Sequence, residues 1–557
     1  MEKIRSAVRY YGSFICILAL QIIVITYFGI QKNWLFGDEQ WTFNLANRYY
    51  EPFLGTIDAS PYYGKWLSPD FWNSVLTVNP AYGFNYGSVF YNQSLDVHPP
   101  LYYLIIHTIC SFFPNIYSKW FGIIPNIVFF LLSQFVIYNI GTLIFKKRYT
   151  ALLLCLFYGF SWGVINNAVY VRMYGLLSLW AVISYYLHLK LMNRFNRNSL
   201  IMVLLFSLLG ILTQYYFLIF QFFVSAGYSI YLLFKKEYKH LLEYCIGYLG
   251  ILGAVIIIFP AAINQITGKV GNQGNEAFRN LVTAPFGENV RAFAHIISKD
   301  MFGGHANWVI AFFISAFFVS LLLRFVDIQL SINHDDGISI DLHTHIINDD
   351  IYFHIRLALF SQIICYTIFI IVGYFCTISK IAPYIVTRYL VITYPLISVL
   401  VVSLAVCIVN INHKSIKYLE MLVIIMTVIF SLNMYRTKNL FAYDPNYSKM
   451  LNTITQDYDS DIAFIIVNGQ KGFWPVMHEA LTMRMTKQSL LLAESDMKDL
   501  SNLLKSYKQD HQAFLAYKTY TCKMNKDVFV KQMTQATGYK KYKVVDSYMG
   551  DIYLFEK

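Results

Sequence analysis

Two adjacent carboxylates follow the first long apolar segment of the chain. That segment covers residues 11–30, and the sequence after it reads Gly37-Asp38-Glu39-Gln40-Trp41. Ionisable groups at membrane depth are costly, which makes them candidates for function. A carboxylate at a membrane surface can accept a proton from a hydroxyl group, so Asp38 and Glu39 are candidates for general-base chemistry. The alternative is a structural role as caps of a helix beginning near Gln40, since Asp is a favoured N-cap residue.

A second polar cluster, Asp96-Val97-His98-Pro99-Pro100, stands before the next apolar run. Two arginines, Arg172 and Arg388, lie at the predicted outer ends of later apolar segments, and a guanidinium group can hold a phosphate bidentately. Together these positions predict a site for an anionic, lipid-linked substrate. For His98 a turn position is the alternative. For the arginines, the alternatives are pairing with a structural carboxylate and extension to lipid headgroups.

The composition places this site in a membrane protein. Of the 557 residues, 57% are hydrophobic, 18% aromatic and only 14% charged, whereas soluble domains carry about 25% charged residues. Many windows exceed the ~18 apolar residues that span a bilayer. The net charge of +12 comes from Lys and Arg at the ends of these windows, which indicates positive-inside loops and not nucleic-acid binding. The eight cysteines show neither a disulfide pattern nor a metal-binding motif.

The distribution of basic residues predicts the topology. Lys3, Arg5 and Arg9 place the N-terminus in the cytoplasm, and residues 11–30 are expected to remain as an anchor. The apolar run 101–113 is too short for a span, and we interpret it as an embedded or juxtamembrane helix. About eleven transmembrane helices then follow from spans near 11–30, 119–145, 150–166, 171–189, 199–213, 214–234, 241–262, 306–325, 354–376, 384–409 and 416–433.

Two outer loops and a C-terminal region complete the predicted organisation. Residues 1–435 form the transmembrane domain, with outer loops at 31–100 and 263–305. In the first loop, Glu39–Tyr50 could form an amphipathic helix on the bilayer. Residues 436–557 alternate short apolar runs with helical patterns, which predicts a small extracytoplasmic α/β domain.

The order of the motifs resembles the GT-C glycosyltransferases, most closely the bacterial branch near the protein O-mannosyltransferases and the lipid A aminoarabinose transferases. The resemblance covers roughly residues 10–435. Gln214 stands where the family often has His. The matching pieces are Asp38-Glu39, the run from Asp96 to Tyr103, Arg172-Met173-Tyr174, Thr213-Gln214-Tyr215-Tyr216 and Arg388-Tyr389-Leu390.

The resemblance implies a polytopic α-helical membrane protein of GT-C type in the plasma membrane. Its activity would be inverting hexosyl or pentosyl transfer from a polyprenyl-phosphate sugar to an acceptor hydroxyl at the extracytoplasmic face. Asp38 would be the general base, and Glu39 would orient Asp38 or the acceptor. The substrate and phosphate would be bound by Asp96, His98, Arg172, Tyr174 and Arg388.

The resemblance also implies the partners. They would be the lipid-linked donor, membrane lipid, and a glycolipid, cell-envelope glycan or protein acceptor. Asp38, Asp96 and His98 have the chemistry of metal ligands, but family members that use monophosphate donors generally need none, so we expect no cofactor. Two other functions are alternatives: a membrane polysaccharide polymerase, and a transporter or flippase of lipid-linked glycans.

Overall fold

The chain is mostly helical and divides into two compact units. The computed structural model describes residues 2–54, 57–271, 273–333, 337–344, 351–411, 445–506, 513–546 and 550–556. The helical unit comprises Met1–Thr26, Asn126–Val169 and Met173–Asn439, and the mixed unit comprises Tyr27–Pro125, Tyr170–Arg172 and Leu440–Lys557. The predicted domain boundary between residues 435 and 436 lies outside the described residues and stays a prediction.

The helical unit is built from long apolar helices joined by short turns. The unit also contains a two-stranded hairpin and two 3-10 helices. The strands are Val326–Asn333 and Gly337–Thr344, and the 3-10 helices are Thr387–Tyr389 and Val391–Thr393. Its helices are Glu2–Gln31 (whose last turn belongs to the mixed unit), Trp120–Phe145 (which begins in the mixed unit), Arg148–Phe160, Trp162–Val169, Tyr174–Asn193, Arg197–Ile211, Tyr216–Phe234, Tyr238–Ile258, Ala261–Ile266, Gln273–Thr283, Phe286–Phe302, Ala306–Phe325, Ile351–Ile381 and Tyr394–Ile411.

The length and composition of these helices confirm a multi-pass membrane protein. Among the described residues, six helices are long and apolar enough to cross a membrane, and counting each of two bent pairs as one span gives eight. The predicted number of about eleven is not confirmed. The predicted spans 199–213 and 384–409 correspond to the shorter apolar helices Arg197–Ile211 and Val391–Cys407, and the predicted span 416–433 lies outside the described residues.

The run 101–113 forms a short helix, as predicted. The helix covers Leu101–Ser111, and at 1.5 Å per residue its eleven residues reach only about 16 Å. A bilayer core is about 30 Å thick, so this helix does not cross it.

Polar groups inside the helical unit bind one another. His188 contacts the Ser184 carbonyl oxygen through Nδ1 at 2.7 Å and the Tyr244 hydroxyl through Nε2 at 2.8 Å. Gln221 donates to the Tyr248 hydroxyl at 2.6 Å. Such pairing removes the cost of burying these groups away from water, so this cluster has a structural explanation.

The mixed unit contains a six-stranded sheet. The central strand Ala463–Asn468 is buried along its whole length, and it pairs in parallel with a strand on each side. The C-terminal α/β region is therefore confirmed. In spatial order the strands are Trp66–Leu67, Gln488–Ala493, Ala463–Asn468, Ala513–Thr519, Gly550–Glu556 and Lys541–Asp546.

The first outer loop belongs to the same unit as this sheet. Trp66 pairs with Leu490 at the sheet edge, and the rings of Phe53 and Phe473 stack with centroids 4.1 Å apart. The loop contributes helices Gly37–Asn47, Pro69–Leu76 and Tyr86–Ser94, with 3-10 turns at Ser60–Tyr62 and Pro80–Tyr82. The C-terminal region adds helical segments at Pro445–Asn452, Thr453–Asp457, Val476–Glu479, Ala480–Met483, Glu494–Asp499, Leu500–Ser506 and Lys526–Thr537.

One predicted surface helix is buried instead. The segment predicted as amphipathic forms helix Gly37–Asn47, but all its residues except Asp38 are buried. The prediction of a bilayer-surface location was wrong because the helix packs inside the mixed unit, against Pro69–Leu76, Tyr86–Ser94 and Leu101–Ser111. The burial fixes Asp38, the one partly exposed residue of the helix, on a rigid element.

Candidate active site

The two adjacent carboxylates have different environments. Successive residues of an α-helix point about 100° apart, so the side chains of Asp38 and Glu39 point in different directions. Glu39 is fully buried, whereas Asp38 is partly exposed in the first turn of helix Gly37–Asn47. The Tyr170 hydroxyl donates to Asp38 Oδ2 over 3.5 Å, a long contact. Of the two adjacent carboxylates, Asp38 is thus the one that is accessible to solvent.

Glu39 is bound on three sides. Lys32 Nζ lies 2.9 Å from Oε1, the Phe36 N–H donates to Oε2 at 2.9 Å, and the Val171 N–H donates to Oε1 at 2.7 Å. Burial raises the pKa of Glu39, and the Lys32 charge and both N–H donors oppose that rise. Glu39 therefore holds the start of its helix against residues 170–172. Of the two roles predicted for it, orienting Asp38 fits this enclosure.

The Lys32–Glu39 pair supports a stability prediction. Lys32→Met leaves a buried carboxylate without its cation, and breaking a buried ion pair from one side costs about 3–5 kcal/mol. We expect a clearly lower thermal unfolding midpoint for the variant purified in detergent.

The double variant Lys32→Met/Glu39→Gln is the control. The amide oxygen can still accept from one of the Phe36 and Val171 N–H groups, which donate to different oxygens of Glu39, and no charge is left buried. We expect part of the lost stability to return. A wild-type midpoint for Lys32→Met would contradict a stabilising role for the pair.

Arg172 places a buried positive charge beside Asp38. Its Nη1 donates to the Asp38 carbonyl oxygen at 3.1 Å, to the Thr42 hydroxyl at 3.2 Å and to the Tyr103 hydroxyl at 3.0 Å. The side chain is 3% exposed. In such an environment charges act more strongly than in water, so Arg172 can influence an anion bound near Asp38.

His98 links Arg172 to Asp96. Arg172 Nη2 lies 3.3 Å from His98 Nε2, and His98 Nδ1 lies 2.7 Å from Asp96 Oδ2. A guanidinium only donates hydrogen bonds, so Nε2 accepts and Nδ1 carries the proton that it donates to Asp96. Asp96 thereby fixes the tautomer in which His98 holds Arg172.

We expect Asp96→Asn to reduce turnover about tenfold. A charge-assisted hydrogen bond contributes about 1.5–3 kcal/mol, and without it His98 can turn its proton towards Arg172, where two donors would face each other. Steady-state kinetics checks this, with Ser94→Ala, at the last residue of helix Tyr86–Ser94, as the control. Unchanged kinetics for Asp96→Asn would remove Asp96 from the site.

Two predicted residues lie in the helical unit. Tyr174 begins helix Tyr174–Asn193 and is buried, and Arg388 lies in the 3-10 helix Thr387–Tyr389 with its guanidinium carbon 5.7 Å from the Tyr389 ring centroid. The Ser178 hydroxyl donates to the Val391 carbonyl oxygen at 3.4 Å, which ties helix Tyr174–Asn193 to the 3-10 helix Val391–Thr393, the next one after that of Arg388. The mixed unit, by comparison, brings together Asp38, Glu39, Asp96, His98 and Arg172.

Two rings that pack against Trp41 in the Asp38 helix, those of Trp474 and His478, were not among the site residues predicted from the sequence. The rings of Trp41 and Trp474 stack at a centroid distance of 3.5 Å, and His478 lies 5.5 Å from Trp41. Burial lowers the pKa of His478 to about 4, and the charge of Asp38 opposes this shift. The only sequence signal is that Trp474 and His478 are four residues apart, which suits one face of a helical turn.

Metal ligation receives no geometric support within the part of the chain that is described. There, no three His, Cys, Asp or Glu side chains are grouped so that they could hold a metal ion. The expectation that no cofactor is needed stays a prediction.

Comparisons with known proteins concern both the sequence and the fold. The family model described as dolichyl-phosphate-mannose-protein mannosyltransferase matches residues 97–263, a stretch that includes His98, Arg172 and Tyr174. None of the curated proteins compared with the chain matches it.

The solved structures that match include ArnT from Cupriavidus metallidurans. The structure of ArnT bound to undecaprenyl phosphate has a TM-score of 0.51 and 11% identity, with 98% of both chains covered. The apo structure of the same protein gives a TM-score of 0.49 and 12% identity, again over 98% of both chains. At 11% identity, the likeness to the first structure concerns the fold.

Proposed function

We propose that this chain, a GT-C membrane glycosyltransferase by its family match and its fold, transfers a sugar from a polyprenyl-phosphate donor to an acceptor hydroxyl. Asp38 is the general base. The donor class is supported by the family described for residues 97–263 and by the undecaprenyl phosphate bound to the ArnT structure of the same fold.

The observation that carries the proposal is the pairing of Asp38 with Arg172. The buried guanidinium of Arg172 donates from Nη1 to the backbone carbonyl oxygen of Asp38 at 3.1 Å, so it lies beside the residue whose carboxylate is partly exposed. Transfer from a lipid phosphate needs these two functions: a base for the acceptor proton and a positive charge for the departing phosphate.

The reaction is a single displacement with inversion. Asp38 takes the proton of the acceptor hydroxyl, whose oxygen attacks the anomeric carbon. The bond from that carbon to the phosphate oxygen breaks, and the polyprenyl phosphate leaves with one more negative charge. Arg172 stabilises this charge as it develops, which lowers the barrier more than it strengthens substrate binding.

The remaining site residues support these two groups. Glu39 orients the helix that carries Asp38, and Asp96 and His98 hold Arg172. Tyr174 and Arg388 contact the lipid phosphate, as the family resemblance implies. We expect no metal ion to take part, since the buried guanidinium of Arg172 supplies positive charge beside Asp38.

The site faces the extracytoplasmic side of the plasma membrane, with the N-terminus in the cytoplasm. The basic residues before the first span support this orientation. The acceptor is a glycolipid, a cell-envelope glycan or a protein, and the polyprenyl tail of the donor stays in the bilayer.

A donor panel tests this function. Purified protein in lipid nanodiscs is given undecaprenyl-phosphate-linked sugars together with an extract of native membranes as the acceptor source, with and without EDTA. We expect one donor to release undecaprenyl phosphate, equally in both conditions. Failure of every donor to react above the background of Asp38→Asn would contradict the proposal, and loss of activity in EDTA would contradict its metal-free form.

A further inference from the structure

His478 is a buried imidazole with unsatisfied ring nitrogens. The residue lies in the 3-10 helix Val476–Glu479 and is 2% exposed. Among the described residues, neither Nδ1 nor Nε2 has a hydrogen-bond partner. Burying a polar group in this way costs free energy, and each such group in a folded protein needs an explanation.

The backbone of His478 is fixed to the helix that carries Asp38. Gln40 Nε2 donates to the His478 carbonyl oxygen at 2.6 Å, and Gln40 Oε1 accepts from the Leu481 N–H at 3.2 Å. The Gln40 side chain thus binds the backbone at both ends of the turn that runs from His478 to Leu481. His478 therefore cannot shift without moving helix Gly37–Asn47.

The imidazole ring lies directly against Gly37. A Cβ atom at Gly37 would be 2.1 Å from His478 Cε1 and 2.2 Å from Nδ1, closer than any real Cβ contact. Only glycine leaves room for the ring at this position. Gly37 directly precedes Asp38 in the first helical turn, so the imidazole packs against the backbone next to the candidate base.

Aromatic rings surround the imidazole elsewhere. The centroids of Phe36, Trp41 and Trp474 lie 6.0, 5.5 and 6.1 Å from that of His478, each in an edge-to-face arrangement. These neighbours offer packing but no strong hydrogen-bond acceptor. The charge that acts on the ring is that of Asp38.

We propose that His478 is a positioning residue for Asp38, and this inference rests on the proposed function. When the acceptor is bound, the imidazole N–H donates to one carboxylate oxygen of Asp38, and the other oxygen receives the acceptor proton. His478 exchanges no proton and stays neutral, with one N–H donor and one acceptor nitrogen. Burial, which lowers the pKa of His478 to about 4, keeps it in this form at neutral pH.

A matched pair of variants separates hydrogen bonding from packing. Gln and Met have similar size and shape, but only Gln has an N–H donor. We expect His478→Met to lower kcat about 100-fold, the size expected when a reacting group is misplaced by about 1 Å. His478→Gln should stay within about tenfold of wild type, and the donor KM should be unchanged in both.

His107 provides the control pair. It is a second buried histidine of the same unit, in helix Leu101–Ser111, and burial lowers its pKa too. We expect equal kcat values for His107→Gln and His107→Met. A second pair, His478→Asn and His478→Leu, repeats the comparison with smaller side chains if either of the first variants fails to fold.

The outcomes separate this inference from the proposed function. Equal kcat values for the Gln and Met variants, whether low or at the wild-type level, would overturn the hydrogen-bonding role of His478. If they are equal while Asp38→Asn is inactive, only this inference fails. Wild-type turnover by Asp38→Asn would instead overturn the proposed function itself.

Discussion

Asp38→Asn is expected to lower kcat about 1000-fold while leaving the binding of undecaprenyl phosphate unchanged. General-base catalysis contributes about 10²–10⁴-fold, and an amide cannot take the proton of the acceptor hydroxyl. Asn has nearly the same shape and is also accepted at helix N-termini, so the fold should be retained. Steady-state kinetics gives kcat, and the thermal shift caused by undecaprenyl phosphate reports its binding.

Asp70→Asn is the matched control for this change. Asp70 also lies in the first turn of a helix of the mixed unit, Pro69–Leu76. If the role of Asp38 is to cap a helix or to interact with its dipole, the two variants should lose similar stability and keep similar activity. Undiminished kcat in Asp38→Asn would exclude Asp38 as the base and direct attention to Asp96.

Arg172→Ala is expected to lower kcat about 100-fold or more and to weaken undecaprenyl phosphate binding. Loss of one preorganised group that stabilises developing charge costs about 10²–10³-fold. Alanine also removes three Nη1 hydrogen bonds, those to Asp38, Thr42 and Tyr103. Kinetics and the thermal shift with undecaprenyl phosphate measure both effects.

Two further variants separate charge from geometry. Arg172→Lys keeps the positive charge but cannot reproduce the planar set of donors, so we expect it to recover phosphate binding more than kcat. Arg484→Ala removes another guanidinium of the mixed unit, which lies 4.8 Å from the Tyr117 ring centroid. Equal kinetics for Arg172→Ala and Arg484→Ala would contradict the role proposed for Arg172.

The sequence was most informative where polar residues interrupt apolar runs. Asp38, Asp96, His98 and Arg172 are unusual in a chain of this composition, and the structure brings them into one unit. The sequence could not separate the roles of Asp38 and Glu39, because both are acidic and adjacent. The structure is needed to show that, in helix Gly37–Asn47, the Glu39 side chain points inward to Lys32.

Residues joined by long-range contacts gave no local signal. Lys32 stands at the end of the first span, where a lysine ordinarily extends to lipid headgroups, yet it pairs with Glu39 in the interior. His478 is separated by 440 residues from Asp38, and hydrophobic periodicity does not reveal contacts at that separation. Its packing against Gly37 depends on the complete fold of the mixed unit.

The C-terminal sheet shows the same limitation. The short apolar runs that predict an α/β region include those that form the strands Ala463–Asn468, Ala513–Thr519 and Gly550–Glu556. The strand Gln488–Ala493 has no clear sequence signal, because the run 490–493 consists of Leu and Ala, which favour helix over strand. The short strand Trp66–Leu67 joins the sheet from the first loop, through pairing with residues more than 400 positions away.

The anomeric configuration of the product tests the central claim most directly. This claim is direct displacement of the lipid phosphate by an acceptor that Asp38 activates. The donor found in the panel is converted to product, and NMR coupling constants give the configuration of the new bond. A configuration opposite to that of the donor is the predicted result. The same configuration in donor and product would require a second displacement and would contradict the role of Asp38 as the base of a single step.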